Sequence, residues 1–319
     1  MKLRGIVLCI SIAIAATCIG IFAPIVGSMV VSVLIGIIVG NTMNTELYNA
    51  GIKFSGKKLL QYAIILMGFT LSFKSAVQLG ISSFPLIITS IVAALLVSYT
   101  LGSYLGVNTR IKTLIGVGTA ICGGSAIAAA SPIIKANDEE IAFSITTIFL
   151  FNIIAVFIFP PLGHLLHFSD TGFGYFAGTA INDTSSVVAA GYAYSTSAGD
   201  TATIVKLVRA LMIVPICLIL VALQSSKDDF NIKQVFPWFI LYFFLASVFA
   251  SIVPVPQEAV KAIKVLSNFL MCTALAGIGL SVNLPKFFKI GSKPIALGAV
   301  TWMVVIMISL IMQKVLQIW

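Results

Sequence analysis

The chain has 319 residues, of which 59% are hydrophobic and only 9% charged, with a mean hydropathy of +1.11. A soluble domain carries about a quarter charged residues, so this composition excludes one and describes an integral membrane protein. The net charge of +9 suggests no nucleic-acid partner, because no basic patch interleaved with aromatic residues accompanies it.

A window of about 19 residues gives eleven candidate spans, near residues 5–22, 25–40, 59–79, 84–105, 111–132, 139–159, 172–194, 202–223, 235–253, 259–281 and 294–316. Most match the roughly 20 apolar residues that cross a bilayer core. The expectation is therefore an all-α membrane protein, one transmembrane domain over 1–319, with candidate repeat halves near 25–160 and 171–316. The start, Met1-Lys2-Leu3-Arg4 before an apolar run, imitates a signal peptide. With no small-x-small cleavage site it is read as an uncleaved first span. Leu47–Lys58, between the second and third spans, suits a short surface helix or a loop.

Prolines punctuate these spans. Pro24, Pro85, Pro237 and Pro294 fall at or near span starts, where the missing N–H costs nothing. Pro132 and Pro160-Pro161 are expected to close spans, and Pro215 to bend the eighth. With the N-terminus inside, the inner loops hold Lys2, Arg4, Lys53, Lys57, Lys58, Arg110, Lys112, Lys227, Lys233, Lys286, Lys289 and Lys293. The outer side keeps Lys74, Lys135, Lys261, Lys264 and Lys314. This is the positive-inside asymmetry, and it places Trp319 outside.

Two nearly identical peptides stand out. Gly118-Thr119-Ala120-Ile121-Cys122-Gly123-Gly124-Ser125 is echoed sixty residues later by Gly178-Thr179-Ala180-Ile181-Asn182-Asp183-Thr184-Ser185. Irregular backbone at membrane depth survives only when buried in protein or lining a wet cavity. Paired Gly-interrupted hydrophobic segments point to a transporter's binding site. Both are expected to be broken or re-entrant helices; as full crossings they would run the same way, so either one is a re-entrant hairpin or the likeness reflects two similar local jobs and not a duplicated ancestor. A second echo, Met67–Ser72 with Ala276–Ser281, joins oppositely directed spans. Small residues at helix crossings also explain such segments without any ligand.

Asp183 is the one acid deep in a span, and intramembrane ionisable groups are functional candidates by default. It could carry a proton, ligate sodium or pair with a base. Lys206 and Arg209, three apart on a helix, share a face. Facing inward they would make an oxyanion site, completed by Thr119, Gly123, Gly124, Ser125, Thr179, Asn182, Thr184 and Ser185 with their helix-start amides. The expected partner is a small anion within a lipid surround; a homo-oligomer is compatible with it. Asp138-Glu139-Glu140 should start the sixth helix and Asp200 cap the eighth, while Asp228-Asp229 sits in an inner loop. Cys9, Cys18, Cys122, Cys217 and Cys272 lack metal or redox spacing, and His164 with His167 lacks a third ligand. No cofactor is called for, and with no phosphate-binding loop, nucleophile elbow or zinc motif the chain does not read as an enzyme.

The stretch at 118–129, Gly178–Ala190 with its Asn182-Asp183-Thr184-Ser185, and Lys206-Leu207-Val208-Arg209 together resemble the signature of the YeiH-type family of bacterial inner-membrane proteins. The resemblance spans almost the whole chain. It implies a multispanning secondary transporter exporting sulfate or a related sulfur oxyanion. It also implies an architecture similar to the inverted-repeat carriers of bile acids and of protons against sodium. A sodium-coupled organic-anion carrier and an anion channel are the competing readings, and a continuous polar lining for a channel is missing.

Overall fold

A computed structural model describes residues 2–22, 28–223, 236–253, 255–283, 285 and 291–319. The positions expected at Pro24, Lys227, Asp228, Asp229, Lys233, Lys286 and Lys289 lie outside the described residues.

Among the described residues all regular structure is helical. In chain order it comprises α1 (Lys2–Phe22), α2 (Ser28–Thr42), α3 (Asn49–Phe54), α4 (Leu60–Gly68), α5 (Phe73–Tyr104), α6 (Thr109–Ala120), α7 (Gly124–Ile133) and α8 (Asp138–Leu165). It continues with α9 (Asp170–Ala180), α10 (Thr184–Tyr194), α11 (Thr196–Leu211), α12 (Ile213–Leu223), α13 (Trp238–Ile252), α14 (Gln257–Ser281) and α15 (Ser292–Val315). Six stretches are long and apolar enough to cross a membrane: Lys2–Gly20, Phe73–Tyr104, Glu139–Leu165, Thr196–Leu223, Gln257–Ser281 and Ser292–Val315. Shorter apolar helices accompany them at Ser28–Thr42, Gly124–Ile133 and Trp238–Ile252.

The contacts divide the chain into two compact units that interleave in sequence. One comprises Met1–Leu79, Tyr192–Thr196 and Trp238–Leu284. Its helices pack closely through glycines. A Cβ at Gly36 would lie 2.6 Å from the Ala276 carbonyl and 3.0 Å from the Gly279 Cα, and one at Gly277 would lie 2.9 Å from the Gly56 nitrogen. The small residues of the 276–281 echo thus make helix crossings. Leu47–Lys58 is neither loop nor separate surface helix. A 3₁₀ turn at Glu46–Tyr48 leads into α3, and a π turn at Ser55–Leu59 joins α3 to α4. The third helix therefore ends at Gly68, about ten residues before the expected span end, and α5 starts at Phe73.

Several proline expectations are corrected for one reason. Pro85 lies inside α5 and Pro160-Pro161 inside α8, which runs on to Leu165, whereas Pro132, the last residue but one of α7, closes it as expected. In an apolar surround unwinding the helix would strip further backbone groups of their partners, so it stays wound past the proline. Pro215 does interrupt the chain: α11 stops at Leu211 and α12 resumes at Ile213, because Pro215 has no N–H to offer the Leu211 carbonyl.

The other unit comprises Gly80–Gly191, Ser197–Pro237 and Pro285–Trp319, and both Gly-rich echoes lie in it. Each folds back on itself. A Cβ at Gly118 would sit 3.0 Å from Ile127, and Arg110 and Lys135 line one cleft; a straight helix would hold residues 110 and 135 roughly 37 Å apart. The α6–α7 segment is therefore a helical hairpin and not a crossing. The same holds for α9–α10. The Ala198 carbonyl lies 3.0 Å from the Cβ position of Gly174 and 3.4 Å from that of Gly191, although a straight helix would separate these glycines by about 25 Å. Lys135, expected opposite Arg110, is brought to the same side.

The hairpins come from opposite ends of α8. Asn137 caps the N-terminus of α8 in a reciprocal capping box with Glu140 (2.8 and 2.9 Å), which agrees with the helix start expected at Asp138–Glu140. The 28 residues of α8 span roughly 42 Å before Ser169 caps α9, its Oγ accepting from Gly172 N at 3.0 Å. Cysteines introduced as Asn108→Cys and Ala136→Cys, in a background without the five native cysteines, are expected to react with an impermeant maleimide from one side of the membrane, and Ser169→Cys from the other. Labelling of 108 and 136 from opposite sides would refute the hairpin.

Candidate functional site

The two hairpin tips meet. Gly123 holds φ +65° and ψ −127°, a conformation for which glycine is nearly obligatory, and its Cβ position is 3.3 Å from the Asp183 Cβ. Four helix ends converge there: the C-termini of α6 and α9, and the N-termini of α7 and α10.

Two helix C-termini side by side bring together orphan carbonyls and two negative dipole ends. Lys206 and Arg209, both 0% exposed in the last turns of α11, answer this. Lys206 Nζ donates to the Ile121 and Ile181 carbonyls, each at 2.8 Å. Arg209 Nε donates to the Ala120 carbonyl at 2.7 Å, while its two terminal nitrogens donate to the Thr119 and Thr179 carbonyls. Trp302 Nε1 takes the Ala180 carbonyl at 2.9 Å. The pair shares a face as its spacing predicts, but most of its donors point at backbone carbonyls of both hairpins. Asp200, expected to cap α11, lies inside it, four residues after its first, Thr196.

The N-termini differ from one another. Asp183 caps α10: its carboxylate accepts from Ser186 N at 2.8 Å, Ser186 Oγ at 2.7 Å and Ser185 Oγ. The first turn of α7 has no side-chain cap. Around it the structure is open: a Cβ at Gly124 would meet nothing within 4 Å, and Ser125 is exposed. An uncapped helix start facing open space is a ready anion-binding site.

Buried polar atoms without partners gather beside it. Asn182 is 0% exposed, yet neither its Oδ1 nor its Nδ2 is hydrogen-bonded. Asn152 on α8 accepts from Asn182 N at 3.1 Å, which leaves its own Nδ2 unpartnered. Thr119 Oγ1 is buried and unpartnered as well, whereas its counterpart Thr179 Oγ1 lies within reach of the Tyr175 carbonyl and Ser309 Oγ, each at 2.7 Å. Native interiors leave few such groups, and each calls for an explanation. Thr184 is half-buried at the rim and Ser185 is buried. No group of three or more histidine, cysteine or acidic side chains suited to a metal occurs among the described residues.

A family model described as Conserved hypothetical protein 698 matches residues 4–298. The chain is 43% identical to the UPF0324 membrane protein FN0533 of Fusobacterium nucleatum over all of this chain and 99% of that protein. It is 44% identical to the UPF0324 membrane protein SAG1125 of Streptococcus agalactiae, covering all of this chain and 98% of the relative. The chain belongs to the UPF0324 family. This is the YeiH-type family that the echoed motifs resemble, and its members' names describe membrane proteins, in keeping with the apolar helices here.

For this UPF0324 chain the sequence had singled out every residue at the tips, but not Asn152, Trp302 or Ser309. Asn152 was the findable one: an asparagine within the hydrophobic run 139–159 costs free energy unless it has a partner.

Proposed function

We propose that this protein is a secondary transporter of a small anion, sulfate or a related sulfur oxyanion, working by alternating access with the two hairpin tips as its central site. The observation that carries this reading is the uncapped, open start of α7 beside buried, unpartnered Asn182, Asn152 and Thr119. Amides of Gly124 and Ser125 would hold the anion with these side chains, Gly123 allowing the close approach, and with Thr184 and Ser185 at the rim. Lys206 and Arg209 supply the positive field and hold the tips together; Thr179 serves through its carbonyl. The formal charges at the centre are two cations and one carboxylate, Asp183, a net positive field that favours an anion.

In this reading α1, α2, the α3–α4 run, α5, α8, α11–α12, α13, α14 and α15 cross the bacterial inner membrane. The hairpins enter from opposite faces as inverted repeats. The sixty-residue echo, awkward for two full crossings, then becomes the inverted pair itself. The N-terminus lies inside and Trp319 outside. Lys135 joins the inner basic residues, leaving Lys74, Lys261, Lys264 and Lys314 outside, which sharpens the positive-inside asymmetry.

Asp183 is the candidate for coupling to protons. Asparagine caps a helix about as well as aspartate, so Asp183→Asn should fold normally. In proteoliposomes the wild type is expected to show saturable sulfate counterflow, and the variant to lose flux driven by a pH gradient while keeping counterflow. Non-saturable flux would make the protein a channel. Full pH-driven flux in the variant would remove Asp183 from coupling, and flux that follows sodium in place of pH would favour the sodium-coupled reading.

A further inference from the structure

A basic cleft lies at the base of the first hairpin, at the end remote from the tips. It has a volume of about 750 Å³ and is lined by Ser103, Asn108, Thr109, Arg110, Lys112 and Lys135 together with Gly106, Val107 and Ile134. Lys293 Nζ is 3.8 Å from the Cβ position of Gly106 at its edge. Among the described residues no acidic side chain lines the cleft; Glu140 touches its margin, 3.7 Å from Arg110.

Arg110 and Lys112 lie in the first turn of α6, at the positive end of the helix, where cations are unfavourable; Asn108 caps that end, its Oδ1 accepting from Arg110 N at 2.8 Å. A positive-inside signal alone needs lysines only somewhere in the loop. It does not account for Lys112, which is 6% exposed, donates to Ser103 Oγ at 2.7 Å and sits 4.3 Å above the Tyr99 ring. Lys135, the left-handed residue that closes α7 (φ +52°, with Ala136 N donating to the Ser131 carbonyl at 3.0 Å), brings its cation to the same cleft by an ordinary helix-ending turn.

We infer that this cleft binds a phosphate-type oxyanion through the side chains of Arg110, Lys112, Lys135 and Lys293. A bound anion would fasten the two legs of the hairpin to one another at their base. That chemistry can come from an anionic phospholipid headgroup or from a soluble phosphate, and the cleft is independent of the transport site at the tips.

The test compares purified wild type with the triple variant Arg110→Gln/Lys135→Gln/Lys293→Gln. A charge-matched control, Lys53→Gln/Lys57→Gln/Lys58→Gln, removes three exposed cations elsewhere. One arm counts phosphatidylglycerol against phosphatidylcholine adducts by native mass spectrometry; the other measures thermal stabilisation by inorganic phosphate against chloride. In at least one arm the wild type and the control should bind, and the cleft variant should bind about tenfold more weakly, as lost charge-assisted hydrogen bonds require. Lipid adducts alone would identify a headgroup, and phosphate stabilisation alone a soluble ligand. Absence of both preferences in the wild type, equal binding by the cleft variant, or an equal loss in the control would overturn the proposal. The cleft variant's sulfate counterflow reads the tips separately.

Discussion

Arg209→Met is expected to destabilise the protein by about 3–5 kcal/mol, the range found when a buried charge network is broken from one side. The substitution roughly preserves volume, so the cost isolates the hydrogen bonds. The carbonyls of Thr119, Ala120 and Thr179 would lose the guanidinium that serves them. Each buried acceptor left bare costs about 1–3 kcal/mol, and the two helix C-termini would then face one another with Lys206 as their remaining cation. In detergent the unfolding midpoint should fall by roughly 5 °C or more. Arg209→Lys should fall between wild type and Arg209→Met, because an ammonium lacks the planar fork that reaches both hairpins. An unshifted midpoint for Arg209→Met would mean that water serves these carbonyls and that the arginine's place is with the anion, as its spacing from Lys206 first suggests.

That ambiguity shows where sequence reasoning ran out. Lys206 and Arg209 were legible as deep cations sharing one helix face, because a charge in lipid must have a reason. Their partners were not legible, because backbone carbonyls carry no residue identity. The hairpins were half-legible in the same way. Twenty-two apolar residues are long enough to cross a bilayer or to enter and return, and hydropathy does not distinguish the two. Gly123 marks the turn, yet a lone glycine is equally at home in a packed crossing such as Gly36 against Gly279. The decisive information was non-local: Gly118 against Ile127, Gly174 and Gly191 against Ala198. The shift of the third helix toward residue 49 was hidden by Lys53, Lys57 and Lys58. These depress hydropathy although Gly51, Ile52 and Ser55 on the other face are buried.

The neighbouring glycines at the first tip should respond in opposite ways, and this separates a binding site from a merely tight turn. Gly123→Ala must place a side chain at φ +65°, ψ −127° and 3.3 Å from the Asp183 Cβ, which should cost about 1–3 kcal/mol of stability. Gly124→Ala meets nothing within 4 Å and should leave the unfolding midpoint unchanged. Gly124→Leu carries a longer side chain into the same open space, over the amides of α7. It should keep its fold yet lose sulfate affinity by about a hundredfold or more, about 2.7 kcal/mol of binding free energy. Titration calorimetry of the four proteins with sulfate, beside their melting curves, reads both effects. If Gly124→Leu bound as tightly as wild type, the opening at α7 would not be where the anion sits. The unpartnered Asn182 would then need a bound water to satisfy it.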